Sequence, residues 1–446
     1  MKNLIHILFL CVLIARLVSA QWFQQENGTN VNLNSVYFVD SLKGWIAGND
    51  STILHTSTGG SNWIEQPCGF LGYAKDLQDV FFINDTLGWA VGGTDYNGSI
   101  LNTNNGGSNW VIQSEAITRQ LNAVFFINDS VGWIGGGAEY PGGKIILKTT
   151  NAGVDWDTLL IDIGIPYSSI FDIKFVNDSI GWAVGGIYPG WGGEIFKTTN
   201  GGINWISQSG SSSPIASCDF ISENVGWVTF AGFISNSAGI MNTIDGGTNW
   251  NVQYMCDSLV WESVNSIIFV NDQKGWAAGF SYFDPTESII LHTTNGGLQW
   301  EPQNVSTTVM LNSIFFINEF KGWAVGDSGT ILYTNNGGET FTENEIADEV
   351  INSFYLFQNY PNPFNPSTKI SWQSTVGSWQ TLKIYDVLGN EVATLVDEFK
   401  PAGSYEIEFD ASSLTSGVYF YQIQAVDPES SSGQAYIETK KMILIK

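Results

Sequence analysis

The chain has 446 residues, more than one compact core usually fills, so two domains or a repeat array is expected. Its 17 Lys and Arg stand against 43 Asp and Glu, a formal net charge of −26; so acidic a surface repels phosphate backbones and anionic lipid and argues against nucleic acid as a partner. Four cysteines and three histidines are too few for a disulfide scaffold and show no metal-ligand spacing, so no metal or other cofactor is expected.

Residues 1–20 read as a secretory signal peptide. Lys2 gives the positive start, Ile7 to Ala15 the apolar core, and Val18-Ser19-Ala20 the small residues before a cut between Ala20 and Gln21. The apolar run is too short for a stable anchor, Cys11 lacks the small residues that precede a lipid-modified cysteine, and no later segment is long and apolar enough to cross a bilayer.

A Gly-Trp pair then recurs at Gly44-Trp45, Gly88-Trp89, Gly132-Trp133, Gly181-Trp182, Gly226-Trp227, Gly275-Trp276 and Gly322-Trp323, at gaps of 44 to 49 residues. An apolar run such as Val80 to Ile83 precedes each pair. A third run (Thr52 to His55, Thr330 to Tyr333), a Gly-rich turn and a fourth run usually headed by Trp follow it. Four short β-branched and aromatic runs make one four-stranded sheet, and seven at this period predict a seven-bladed β-propeller over residues 21–345. Trp is expected to fill the wedge between blades while Gly admits a close backbone approach. His55 and His292 share one third-strand position, a repeat feature rather than a site.

The third turn carries a sharper pattern. TSTGGSNW ending at Trp63 returns as TNNGGSNW, TTNAGVDW, TTNGGINW, TIDGGTNW, TTNGGLQW and TNNGGETF, ending at Trp110, Trp156, Trp205, Trp250, Trp300 and Phe341. This resembles the Asp-box of sialidase-like propellers, with Asn105, Asn151, Asn200, Asn295 and Asn336 standing where that family has Asp; only Asp245 is the acid, and Thr58 departs further. Asn accepts backbone N–H groups as Asp does, and the neighbouring Gly permits a left-handed step. The whole repeat, from residue 33 to about 345, is most similar to the photosystem II assembly factor type of propeller.

After a connection at 346–353, residues 354–446 show alternating runs at Lys369 to Trp372, Thr381 to Tyr385, Ser404 to Phe409, Val418 to Ile423 and Met442 to Ile445. They predict a small immunoglobulin-like β-sandwich, so the whole chain is expected to be all-β. Pro361-Asn362-Pro363-Phe364, Tyr385-Asp386 with Gly389, Leu414 with Gly417 and Tyr419, and the terminal Lys440 to Lys446 resemble the type IX secretion sorting domain of Bacteroidetes. The resemblance implies the type IX machinery as a partner and a destination at the outer-membrane surface or outside the cell. Whether the tag is cleaved, and the propeller then anchored or released, stays open.

Sialidase sites bind a sugar carboxylate with three arginines, and after processing only Arg119 remains. A non-catalytic propeller binding a glycan or protein ligand is therefore expected. An assembly or folding factor for another exported protein is the alternative, and a two-carboxylate glycoside hydrolase a weaker one. The candidate ligand residues lie in loops between second and third strands (Tyr96, Tyr140, Tyr188, Trp191, Phe233, Tyr282, Phe283) and, with Phe70, Tyr73 and Tyr167, in blade connections (Trp261). Asp95, Glu139, Asp284 and Glu287 lie among them. Exposed rings beside polar groups suit sugars or peptides; the alternative reading is that the rings cover one another or the blade tops.

Two further expectations concern pairing. Cys218 and Cys256 are either bridged or buried free thiols. Gln21-Trp22-Phe23-Gln24-Gln25 is an eighth fourth-strand sequence, expected to dock on the last blade and either replace the degraded Thr340 to Asn344 or pair outside it.

Overall fold

A computed structural model of the chain describes residues 22–70, 75–94, 96–137, 143–161, 167–187, 192–208, 210–230, 238–255, 262–281, 287–305, 307–339, 355–356, 359, 362, 364–374, 377–401, 403–426 and 435–445. The chain divides into two compact units, Met1–Thr340 and Phe341–Lys446.

In the first unit the described strands fall into seven antiparallel sets of four. The set Leu33–Phe38, Gly44–Gly48, Ile53–Thr56 and Ile64–Glu65 is typical: the inner strand alternates buried and half-buried residues, the second is wholly buried, and the outermost is exposed. A bulge interrupts the inner strand near its start in every set, as between Leu33 and Ser35. It frees an Asn side chain to reach the next blade, where Asn34, Asn122, Asn265 and Asn312 donate to the carbonyls of Leu77, Ile170, Leu311 and Leu33.

The Gly-Trp pair works at two interfaces. Within a blade, a Cβ on Gly44 would stand 2.5 Å from the ring of Phe38, so only Gly lets that ring lie on the second strand. Between blades, Trp45 stacks on Phe82 of the next inner strand at 3.6 Å. Trp89, Trp133, Trp182, Trp227 and Trp276 repeat the stack on Phe126, Phe175, Phe220, Phe269 and Phe316 at 3.5–3.7 Å. Trp323 completes the circle on Phe38 at 3.5 Å. Each such Trp buries about 200 Å², roughly 5 kcal/mol of transfer free energy before entropy is counted. The core is thus a ring of wedges around a central channel.

Among the described residues the last set has three consecutive strands, Leu311–Phe316, Gly322–Gly326 and Thr330–Thr334, and the strand paired outside Thr330–Thr334 is Phe23–Gln24. Phe23 pairs with Tyr333 and Gln24 with Leu332. Trp22 meets Phe316 edge-on at 86°, as Trp63 meets Phe38 at 84° and Trp110 meets Phe82 at 87°. The N-terminal segment therefore occupies the place that the repeat register would give to Phe341. Thr340 to Asn344 lie outside the described residues.

The second unit packs a three-stranded sheet (Tyr355–Leu356, Ser367–Ser374, Gly403–Asp410) on a four-stranded one (Glu391–Lys400, Ser378–Tyr385, Gly417–Val426, Ala435–Leu444). Leu356, Ile370, Trp372 and Phe409 from the first meet Leu382, Ile384, Tyr421 and Met442 from the second in one core. Phe364 is clamped by the terminal strand: its N–H donates to Ile443 and its carbonyl accepts from Ile445. The ten-residue strand Glu391–Lys400 is absent from the alternating runs of the sequence, because an exposed edge strand buries almost nothing and loses the pattern.

Candidate binding faces

Each blade has two ends. At one end the box turn lies against the turn between the first and second strands, tied by a backbone bond such as Gly201 N–H to Ser179 O at 2.8 Å. At the other end emerge the second-to-third-strand loops and the blade connections.

The box turn is built by side-chain oxygens. Thr103 Oγ1 accepts from Gly107 N–H at 2.9 Å, and Asn105 Oδ1 accepts from Asn109 N–H at 2.9 Å. Asn151, Asn200, Asp245 and Asn295 repeat the second bond, and Thr58 makes it with its hydroxyl at 3.0 Å. The box carbonyl then receives the neighbouring blade: Trp45 Nε1 and Gln66 Nε2 both donate to Gly106 O, at 3.1 and 2.9 Å. The Gln three residues after the fourth-strand Trp is thus an interblade tie, seen also at Gln25, Gln113, Gln208, Gln253 and Gln303. Sequence reading passed over it although it stands at one place of the repeat. These bonds make the box an architectural device.

At the opposite end, Tyr96 is 66 % exposed, Tyr167 is exposed at a left-handed φ of 65°, and Glu287 is exposed. Phe70 is half-buried, with the Lys75 ammonium 5.1 Å from its ring centre and Lys75 held by Ser99 at 2.7 Å and Glu115 at 3.3 Å. Phe70 is thus covered by the Lys75 side chain, whereas Tyr96 is largely exposed. Tyr140, Tyr188, Trp191, Phe233, Tyr282, Phe283 and Trp261 lie outside the described residues, as do Tyr73, Asp95, Glu139, Asp284 and the cleavage pair Ala20 and Gln21.

The channel carries charges that apolar patterning hid. Asp79 accepts from Ser35 Oγ at 2.7 Å and from the N–H groups of Val80 and Val124 at 2.9 and 2.8 Å. Burial raises its pKa to about 7 against the pull of those donors. Asp172, also raised by burial, accepts from Ser217 Oγ and Cys218 N–H. Lys174 pairs with Asp219 at 2.9 Å; burial opposes its charge, but the carboxylates of Asp219 and Asp172 outweigh it and raise the pKa. Tyr37, Phe81, Phe125 and Phe315 pack across the remaining blades at 4.8–5.3 Å. The charged side chains tie neighbouring inner strands together.

Cys68 and Cys218 are buried free thiols. Of the two readings for Cys218, the bridge is therefore not the one realised; burial holds its thiol protonated, well above the ordinary range. Cys256 lies outside the described residues. His55 and His292 stack on Trp45 and Trp276 at 4.9 and 4.7 Å. Burial, and then the nearby Lys274, lower His292 to about 4, so its 3.6 Å approach to Glu339 is not an ion pair at neutral pH.

The comparisons agree with this architecture. Residues 69–208 match the family model described as photosynthesis system II assembly factor YCF48, and residues 358–438 match the secretion system C-terminal sorting domain. No curated protein sequence matches the chain. Among solved structures, YCF48 from Cyanidioschyzon merolae is 19 % identical, with a TM-score of 0.54 over 71 % of this chain and 99 % of that one. YCF48 bound to D1 peptide is 18 % identical, with a TM-score of 0.54 over 71 % and 97 %. The GH74 xyloglucanase from Xanthomonas campestris is 9 % identical, with a TM-score of 0.55 over 80 % of this chain and 60 % of that one. At such identities the structures establish fold alone. The chain joins a β-propeller similar to YCF48 to a C-terminal domain that matches the secretion system sorting-domain family.

Proposed function

We infer that this protein is a non-catalytic propeller, delivered by type IX secretion to the cell surface or beyond, that binds a segment of another exported protein. The observation that carries the reading is the union in one chain of a YCF48-like repeat with a sorting domain. The solved YCF48 with a D1 peptide supports protein rather than glycan as the ligand class. The face bearing Tyr96 is the proposed site: an exposed phenol supplies a rigid apolar surface and a hydrogen-bonding tip at little entropic cost. Tyr140, Tyr188, Trp191, Phe233, Tyr282, Phe283 and Trp261 are proposed to extend it.

The likeness to a xyloglucanase supplies the second reading, a glycoside hydrolase. That chemistry needs two carboxylates flanking a sugar bond, one of them held protonated. Among the described residues the raised carboxyls, Asp79 and Asp172, are engaged by backbone and Ser donors inside the channel. Binding supports the reading better than hydrolysis does. The test is an array of extended peptides and of glycans probed with the full mature chain and with Tyr96→Ser. Peptide binding weakened by the substitution is expected; glycan binding without peptide binding would overturn the protein-ligand assignment.

A further inference from the structure

The box end of the propeller is uneven around the ring. In the third to sixth blades the box turn presents one strongly exposed aliphatic side chain: Val154 (76 %), Ile203 (65 %), Ile244 (69 %) and Leu298 (79 %). At the place of Val154, Ile203 and Leu298 the first, second and seventh blades carry Ser61, Ser108 and Glu339; Ile244 stands four residues earlier in its box, where those blades carry Ser57, Asn104 and Asn335. The adjoining turn between first and second strands carries an exposed acid in the same four blades: Asp129, Asp178, Glu223 and Asp272. Among the described residues no lysine or arginine pairs with any of them, whereas the corresponding Asp85 and Glu319 are neutralised by Lys43 and Lys274 at 2.5 and 2.6 Å. Lys148 and Lys197 end on the carbonyls of Gly201 and Gly246 at 2.9 Å, and the Lys197 ammonium also feels the charge of Glu223. Leu42 and Phe320 are less exposed, at 40 and 45 %, and stand beside the paired residues.

Four neighbouring blades therefore offer an exposed apolar side chain and, in the adjoining turn, an exposed acid that makes no salt bridge among the described residues. A solvent-facing turn gains nothing from a bare Leu or Ile, and the sibling turns fold with Ser, Thr, Asn or Glu in those places. We propose that this arc is an interaction surface for a basic amphipathic protein segment, one that alternates aliphatic residues with Lys or Arg. The aliphatics pack on Val154, Ile203, Ile244 and Leu298, and the cations meet the four acids. Opposite charge selects the segment and speeds its arrival, while apolar burial holds it. The surface lies at the end of the propeller opposite Tyr96, so it stands apart from the site proposed above.

The test uses the full mature chain and a short labelled peptide alternating leucine and lysine, read by fluorescence anisotropy. Two quadruple variants borrow from the sibling repeats or remove charge alone: Val154→Ser, Ile203→Ser, Ile244→Thr, Leu298→Ser; and Asp129→Asn, Asp178→Asn, Glu223→Gln, Asp272→Asn. Each is expected to melt as the parent does and to bind at least about tenfold more weakly, and the charge variant to lose most of the salt dependence. Tyr96→Ser should bind the peptide as the parent does, which keeps this test separate from that of the other face. Equal binding by the aliphatic variant, or equal binding of a peptide with glutamate in place of lysine, overturns the proposal. So does a parent chain that sediments as an oligomer which the aliphatic variant dissociates, since the arc would then belong to a second copy.

Discussion

Replacing Trp22 by Ala tests how the ring closes. Trp22 is fully buried, edge-on to Phe316 at 5.7 Å, and its Nε1 donates to Gln303 Oε1 at 2.9 Å. The segment behind it continues the tie: Gln25 N–H donates to Ile331 O at 2.8 Å, and Gln25 Nε2 reaches Gly59 O of the first blade at 3.1 Å. Truncating a buried Trp costs about 3–5 kcal/mol through lost transfer energy and a residual cavity. For a propeller of this size that is a fall in Tm of about 5–7 °C. Because the lost side chain packs between the sixth and last blades and anchors the segment whose Gln25 reaches the first, hydrogen exchange should rise first in Leu311–Phe316 and Leu33–Phe38. Phe341→Ala is the discriminating control. The place that the repeat pattern gives to Phe341 is already filled, so that variant should melt within about 1 °C of the parent. If Phe341→Ala destabilises and Trp22→Ala does not, the closure argument is wrong.

Further outcomes follow from single contacts. His292 has a folded pKa near 4 against 6.5 unfolded, so the unfolded chain binds more protons between those values; stability is full above pH 6.5 and declines by about 2–3 kcal/mol as pH falls toward 4. His292→Asn, the residue the repeat places at Asn102 and Asn242, should flatten that decline in denaturant titrations run at several pH values. Asp79 has the opposite sign: its raised pKa, about 7, means stability is lost as pH rises from near 4 through 7, and Asp79→Ser should remove that loss. In the box, Asn200→Ala leaves the N–H of Asn204 without its acceptor, at 2.9 Å in the parent, and should cost about 1–2 kcal/mol in urea unfolding. Deleting residues 354–446 should leave a folded propeller inside the cell envelope, measured by fractionation; normal delivery outside would remove the sorting role.

The repeat was legible because its physical demands recur in the same residues. Gly-Trp is needed wherever Phe must lie on the second strand and a wedge must be filled, so the pair shows the period directly. The N-terminal fourth strand was also legible, as an eighth copy of a sequence with seven places. Its docking was not, because replacement and outside pairing use the same residues; burial of Trp22 against Phe316 distinguishes them. The Gln tie escaped notice because glutamine reads as an ordinary surface residue, and its acceptor, Gly106 O for Gln66, is backbone in another blade. Asp79 and Asp172 were hidden for the same reason: a charge on an inner strand becomes intelligible only beside the Val124 and Cys218 N–H groups across the interface. The strand Glu391–Lys400 lacked the alternation that betrays a half-buried strand. Of the aromatic face, the structure describes Tyr96 as an exposed residue between the second and third strands of its blade. That inference rested on loop length and composition, which specify where a ring emerges but not what it meets.

Site-specific crosslinking in the producing cells tests the central claim most directly. A photoreactive phenylalanine analogue at position 96 places the reactive group at the exposed site of Tyr96. The account predicts a discrete crosslinked species containing this chain and a segment of another exported protein, lost when the reactive group is moved to buried Phe82. Crosslinking at position 96 to no protein, together with release of reducing sugar from a glycan by the purified chain, would contradict it.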